Sequence, residues 1–151
     1  MKIYIGADHA GFERKQKVIQ YLKAKNIEVI DEGTDSADVS VDYPDFANKV
    51  AHHFLDAHSH LPKPTKLGIL ICGSGQGVAM RANKFPHVRA ALCWNVDVAK
   101  LAREHNDANI LCFGSRAIDE KTSFLIVDAF LETSFAGGRH EARVVKVGSP
   151  I

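Results

Sequence analysis

Apolar residues along this chain switch repeatedly between strand-like and helix-like spacing. Lys2 to Gly6 alternates and ends in glycine, which predicts a short first strand. From Ala10 to Lys25, Phe12, Val18, Ile19 and Leu22 fall near helical spacing. Ile27 to Ile30 is short and β-branched and reads as a second strand. Asp31 to Asp42 is a polar loop, and Pro44 suits the first turn of a helix over roughly Asp45 to Ala57. His58 to Lys66, with Pro62 and Pro64, breaks that helix. Leu67 to Cys72 is continuously apolar, as expected of a strand covered on both faces. It enters a glycine-rich turn and a short helix, Val78 to Asn83. Val88 to Cys93 predicts a fourth strand, a helix begins over Asp97 to Glu104, and Asn109 to Phe113 predicts a fifth strand ending at Gly114. Lys121 to Thr133 is an amphipathic helix broken by Gly137 and Gly138, and Arg139 to Val147 is a last helical segment.

This alternation predicts an α/β fold: a three-layer αβα, Rossmann-like sandwich around a five-stranded, mostly parallel sheet. No repeat or linker divides the chain, so residues 1–151 are expected to form a single domain. In such sheets the ligand crevice lies outside the carboxyl ends of the strands. Attention therefore falls on Asp8 and His9, Gly33 and Thr34, Cys72 to Gly77, Trp94 and Asn95, and Gly114 to Arg116.

Composition narrows the class. The 19 Lys+Arg balance 18 Asp+Glu, so nothing draws the whole surface to nucleic acid or to an anionic membrane. No apolar run is long enough to span a bilayer, and the first residues lack a leader pattern. Three cysteines, Cys72, Cys93 and Cys112, fit neither a disulfide framework nor a paired-cysteine zinc site. Reduced thiols and a cytoplasmic location are the expectation.

The strongest chemical signal is the CGSGQG run, Cys72 to Gly77. Glycines after a buried strand let backbone approach an anion, and free amides at a helix start favour negative charge. The run is not a Walker loop, a dinucleotide fingerprint or a hydrolase elbow; a tight strand-to-helix turn is the plain alternative. Cys72 at its entrance would feel the positive end of the next helix, which favours thiolate, a base or a nucleophile. Cys93 and Cys112 read as small buried hydrophobes. Asp8 and His9 suit proton handling or phosphate contact, although Asp8 could simply cap a helix. His105, Asn106 and Asp107 read alone as a polar turn. Arg139 and Arg143, four apart, would share one helix face as a phosphate clamp or as a solvated basic face. The remaining histidines, His52, His53, His58, His60 and His87, lack the company of a metal site and read as surface residues.

Seven segments then fall in a familiar order: GADHAG at 6–11, DYP at 42–44, ICGSGQG at 71–77, ANK at 82–84, REHND at 103–107, FGSR at 113–116 and GGRH at 137–140. Together they resemble the B-type ribose-5-phosphate isomerases, a family that also holds allose- and galactose-6-phosphate isomerases. The resemblance implies an aldose–ketose isomerase that works through an enediol(ate) on a small sugar phosphate, with no metal and no organic cofactor. It implies Cys72 as the base between C2 and C1, and Gly73, Ser74, Gly75, Gln76 and Gly77 as an anion hole. Ser74 would pass a proton between the enediolate oxygens, and His105 would open the sugar ring beside Asn106. Asp8 would meet sugar hydroxyls, Tyr43 would line the pocket, and His9, Arg116, Arg139 and Arg143 would hold the phosphate. It also implies a homodimer or homotetramer with sites at the subunit interface, reached by the 137–151 segment and by His105 of a neighbour. A six-carbon sugar phosphate is the alternative substrate, and a noncatalytic phospho-ligand module the alternative class. Two departures from the family pattern are the longer 58–66 connection, expected to alter oligomer contacts, and Gln76, expected to narrow the site.

Overall fold

The computed structural model describes residues 1–55 and 64–149. Strands β1 (Lys2–Ala7), β2 (Glu28–Asp31), β3 (Lys66–Cys72), β4 (Ala90–Leu92) and β5 (Ile110–Gly114) form one sheet in the order β2-β1-β3-β5-β4. Every pairing is parallel, so each strand delivers its carboxyl end to the same rim.

Strand periodicity sorts the core into two faces. Ile3, Ile5, Leu67, Ile69, Ile71, Leu111 and Phe113 pack against helices α1 (Phe12–Ala24), α4 (Val96–Asn106) and α5 (Glu120–Glu132). Leu70, Cys72, Ile110 and Cys112 point the other way, onto α2 (Tyr43–His52) and α3 (Gln76–Ala82). The apolar run of β3 is thus covered on both sides, the expected αβα sandwich.

Four boundaries differ from expectation. Helix α2 starts at Tyr43 with Pro44 in its first turn, and it ends at His52. Of the connection that follows, residues 56–63 are not described, so most of the 58–66 segment lies outside the described residues. Strand β4 keeps only three residues. The Asn83 side chain takes both the N–H and the C=O of Ala90, and Asn109 Oδ1 takes the Arg89 N–H, so side chains replace the ladder at its start. Helix α5 runs from Glu120 to Glu132, each end one residue earlier than expected. Thr133 turns extended while its hydroxyl donates back to Ala129 O, and the link is pinned by Ala136 N–H to Glu104 O. The last segment splits into a 3-10 turn (Gly138–His140) and α6 (Glu141–Val147). Arg139 and Arg143 therefore do not lie one turn apart on a continuous α-helix.

Candidate active site

Strand order reverses between β1 and β3, since β2 lies on one side of β1 and all later strands lie on the other. Open α/β sheets place their ligand crevice at such a reversal. Here Asp8 leaves β1 beside Ile71, its N–H donating to Ile71 O, and Cys72 ends β3. Above them is a cavity of about 500 Å³, lined by Asp8, His9, Tyr43, Cys72, Gly73, Ser74, Gly77 and Arg116.

Cys72 is 4% exposed and sits at the buried base of the glycine turn. The Gly75 N–H donates to its Sγ at 3.1 Å, a donor aimed at the atom that would carry a thiolate's charge. That aim requires Gly75 at φ +80°, the left-handed conformation. The Gln76 N–H goes to Ser74 Oγ at 3.3 Å. The amides of Gly73, Ser74 and Gly77 have no acceptor among the described residues. Helix α3 begins at Gln76, so the turn feeds directly into a helix N-terminus, where unpaired N–H groups favour negative charge. The Gln76 side chain is exposed and lines no part of the cavity, so it does not narrow the site as expected.

Polar groups surround this base. The Asp8 carboxylate is 7% exposed and accepts from Gly11 N–H at 2.9 Å, folding the turn before α1. Gly11 itself is the α1 cap position, so Asp8 is not the cap. His9 Nδ1 accepts from Val41 N–H at 3.2 Å. Its neutral ring therefore carries hydrogen on Nε2, the nitrogen left to donate to a ligand. The Arg116 guanidinium lies over Gly73, where an added Cβ would come within 3.3 Å of it, and the Tyr43 ring lies similarly against Gly77.

The other two thiols are set apart by burial. Burial pushes Cys93 up to about 12 and Cys112 well above the ordinary thiol value, the latter with the neighbouring cysteines adding to the effect. Both stay protonated at neutral pH, as small hydrophobes do.

His105, Asn106, Arg139 and Arg143 lie away from this chain's cavity. His105, in the last turn of α4, stacks on His140 with ring centroids 4.4 Å apart and planes at 7°. Asn106, Arg139 and Arg143 are exposed. Of the histidines expected on the surface, His52 is exposed and His53 is half-buried, and both make contacts. His53 stacks on Tyr4 at 3.7 Å and meets Glu32 at 2.7 Å, and His52 packs edge-on against Phe85. His58 and His60 lie outside the described residues. Among the described residues no cluster of His, Cys, Asp or Glu is arranged to hold a metal ion, and no helix is long and apolar enough to cross a membrane.

One buried group went unremarked in the sequence. Lys15 is fully buried and bonds Asp31 and Gly33. Its signal was its place in the α1 apolar stripe, at helical spacing with Val18, Ile19 and Leu22.

Comparison with known proteins decides the family. Residues 3–147 match the family model described as Ribose/Galactose Isomerase. The chain belongs to the ribose/galactose isomerase family. Relatives place it beside its type B ribose-5-phosphate isomerases. It is 46% identical to a putative sugar phosphate isomerase of Rickettsia bellii over 145 residues, 96% of each chain. It is 42% identical over 143 residues to ribose-5-phosphate isomerase B of Escherichia coli, covering 95% of this chain and 91% of that one. A crystal structure of the Thermotoga maritima ribose 5-phosphate isomerase superposes with a TM-score of 0.89 at 50% identity, covering 97% of each chain. The Mycoplasma genitalium ribose-5-phosphate isomerase B, crystallised with bound ribulose-5-phosphate, gives 0.89 at 42% identity, covering 97% of this chain and 93% of that one. This family member thus carries the cysteine, the glycine turn, a histidine and one arginine, Arg116, around one cavity.

Proposed function

We propose that this isomerase interconverts ribose 5-phosphate and ribulose 5-phosphate, with Cys72 as the base. The observation that carries the reading is Cys72 at the cavity floor with a backbone donor on Sγ and unpaired amides beside it. Proton abstraction next to a carbonyl needs a positioned base and a prepared home for the developing oxyanion, and this turn supplies both. The Cys72 thiolate takes the proton from C2 of the open aldose. The C2 electron pair forms the C1–C2 double bond, and the charge moves to O1. Amides of the 73–77 turn stabilise that oxygen, and the Ser74 hydroxyl relays a proton from O2 to O1. The charge on O2 then collapses to the ketone while the Cys72 thiol returns its proton to C1.

Asp8 and Tyr43 contact the sugar, while His9 and Arg116 hold the phosphate. The phosphate does not react, so its binding energy orients the sugar. His105, which opens the sugar ring, with Asn106, Arg139 and Arg143, serves the cavity of a second copy, since these residues stand clear of their own. Cys72→Ala should lose about 10²- to 10⁴-fold in turnover of ribose 5-phosphate, with the melting temperature retained. Full activity in Cys72→Ala would remove the base.

A further inference from the structure

We propose that Lys15, which touches no part of the cavity, is a positioning residue that holds His9 and Tyr43 in place through the 31–42 loop. Lys15 lies on α1 with none of its side chain exposed. Its ammonium donates to Asp31 Oδ1 at 2.5 Å, to Asp31 Oδ2 at 2.6 Å and to Gly33 O at 2.8 Å. All three hydrogens are committed to one turn, so the cation is fully paired without water. A buried ammonium is tolerated only when it is paired and hydrogen-bonded in this way.

The turn it grips presses on the strand that leads to the site. A Cβ at Gly33 would fall 2.6 Å from Ala7 N, and Thr34 N–H donates to Ala7 O at 3.0 Å. Ala7 immediately precedes Asp8. Downstream, the same loop returns to the cavity twice. Val41 N–H sets the His9 tautomer, and Tyr43 lays its ring on Gly77. Among the described residues the loop forms no helix or strand between Asp31 and Tyr43, so its hold at the start matters to its far end. Asp31 is 35% exposed, and water takes over its carboxylate if the lysine is removed, so no charge is stranded in the core.

The test is Lys15→Met, which keeps the stem volume and deletes the three donors. Asp31→Asn, which keeps one acceptor and removes the charge, is read in the same way and serves alone if Lys15→Met does not fold. Nitrogen-15 NMR of His9 is the direct readout. In the parent protein Nδ1 is the unprotonated nitrogen; in the variants the tautomers should mix, and amide exchange at Gly33, Thr34 and Val41 should accelerate. The kinetic arm rests on the isomerase reading. There KM for ribose 5-phosphate should rise about tenfold with kcat within about threefold, the pattern of lost binding contacts. A merely structural lysine would lower the melting temperature and leave the His9 tautomer and KM as they were, which would overturn the proposal. Parent protein without isomerase activity would instead sink the functional reading, and the His9 spectra would still decide this one.

Discussion

The most exacting test of the glycine turn is Gly75→Ala. Gly75 has φ +80°, and a Cβ there would sit 2.6 Å from the Phe113 carbonyl carbon, 2.6 Å from Leu92 Cδ1 and 2.8 Å from Gly114 N. The Leu92 methyl can turn aside; the β5 backbone cannot. The left-handed conformation costs an L-residue about 1–2 kcal/mol, and forcing packed backbone apart costs about 1–3 kcal/mol more. The expected loss is therefore about 2–5 kcal/mol, which in a chain of this length lowers the melting temperature by roughly 5–15 °C. Gly138→Ala separates the two contributions. Gly138 also has positive φ, at +56°, but nothing lies within 4 Å of its Cβ direction, so only the backbone cost of about 1–2 kcal/mol applies. Thermal melts of both variants give the difference, and turnover of Gly75→Ala should fall as its N–H swings off Cys72 Sγ. Equal losses in the two variants would show that the collision with β5 does not exist in solution.

Two further outcomes are expected. If the proposed shared site belongs to a symmetric dimer, mixing Cys72→Ala and Cys72-intact His105→Ala subunits by unfolding and refolding should restore about a quarter of parental activity, because half the dimers would be mixed and each would hold one intact site; no recovery would place both residues in one subunit's site. Burial pulls His140 below its ordinary 6.5, helped by His105, Arg139 and Arg143 and opposed by Glu104. The state with the 138–147 segment released therefore binds more protons than the docked one. Docking should be complete above about pH 6.5 and weaken as pH falls through the lowered value. Amide exchange in α6 between pH 5 and pH 7.5 reads this, and His140→Phe should flatten the trend; a trend that persists in that variant assigns it elsewhere.

Much of the fold was legible because strand and helix periodicities separate cleanly in this chain. The continuous apolarity of Leu67 to Cys72 meant a strand buried on both faces, and the carboxyl-end rule then brought Asp8, Cys72 and Arg116 to one rim. What escaped was set by side chains acting at a distance. Asn83 and Asn109 shorten β4 by occupying backbone groups, which no local propensity encodes. Lys15 stands in the apolar stripe of α1, but the groups that pair with it, Asp31 and Gly33, come from beyond the helix and no local spacing names them. The separation of His105 and the last two arginines from Cys72 was expected from the family resemblance alone, since it depends on which end of each helix faces the crevice and residue spacing does not carry that.

The sheet order also bears on how the molecule is made. Strand β3, which carries Cys72, is flanked by β1 and β5, and Gly114 of β5 packs so closely on Ser74 that an added Cβ would lie 2.6 Å from its backbone. The turn around Cys72 therefore has no mould until residues 110–114 have been synthesised and paired. A nascent chain that ends before β5 holds its cysteine on an open sheet edge, where unpaired strands are prone to associate. Assembly of this site is a late event in the life of the chain, however early its residues leave the ribosome.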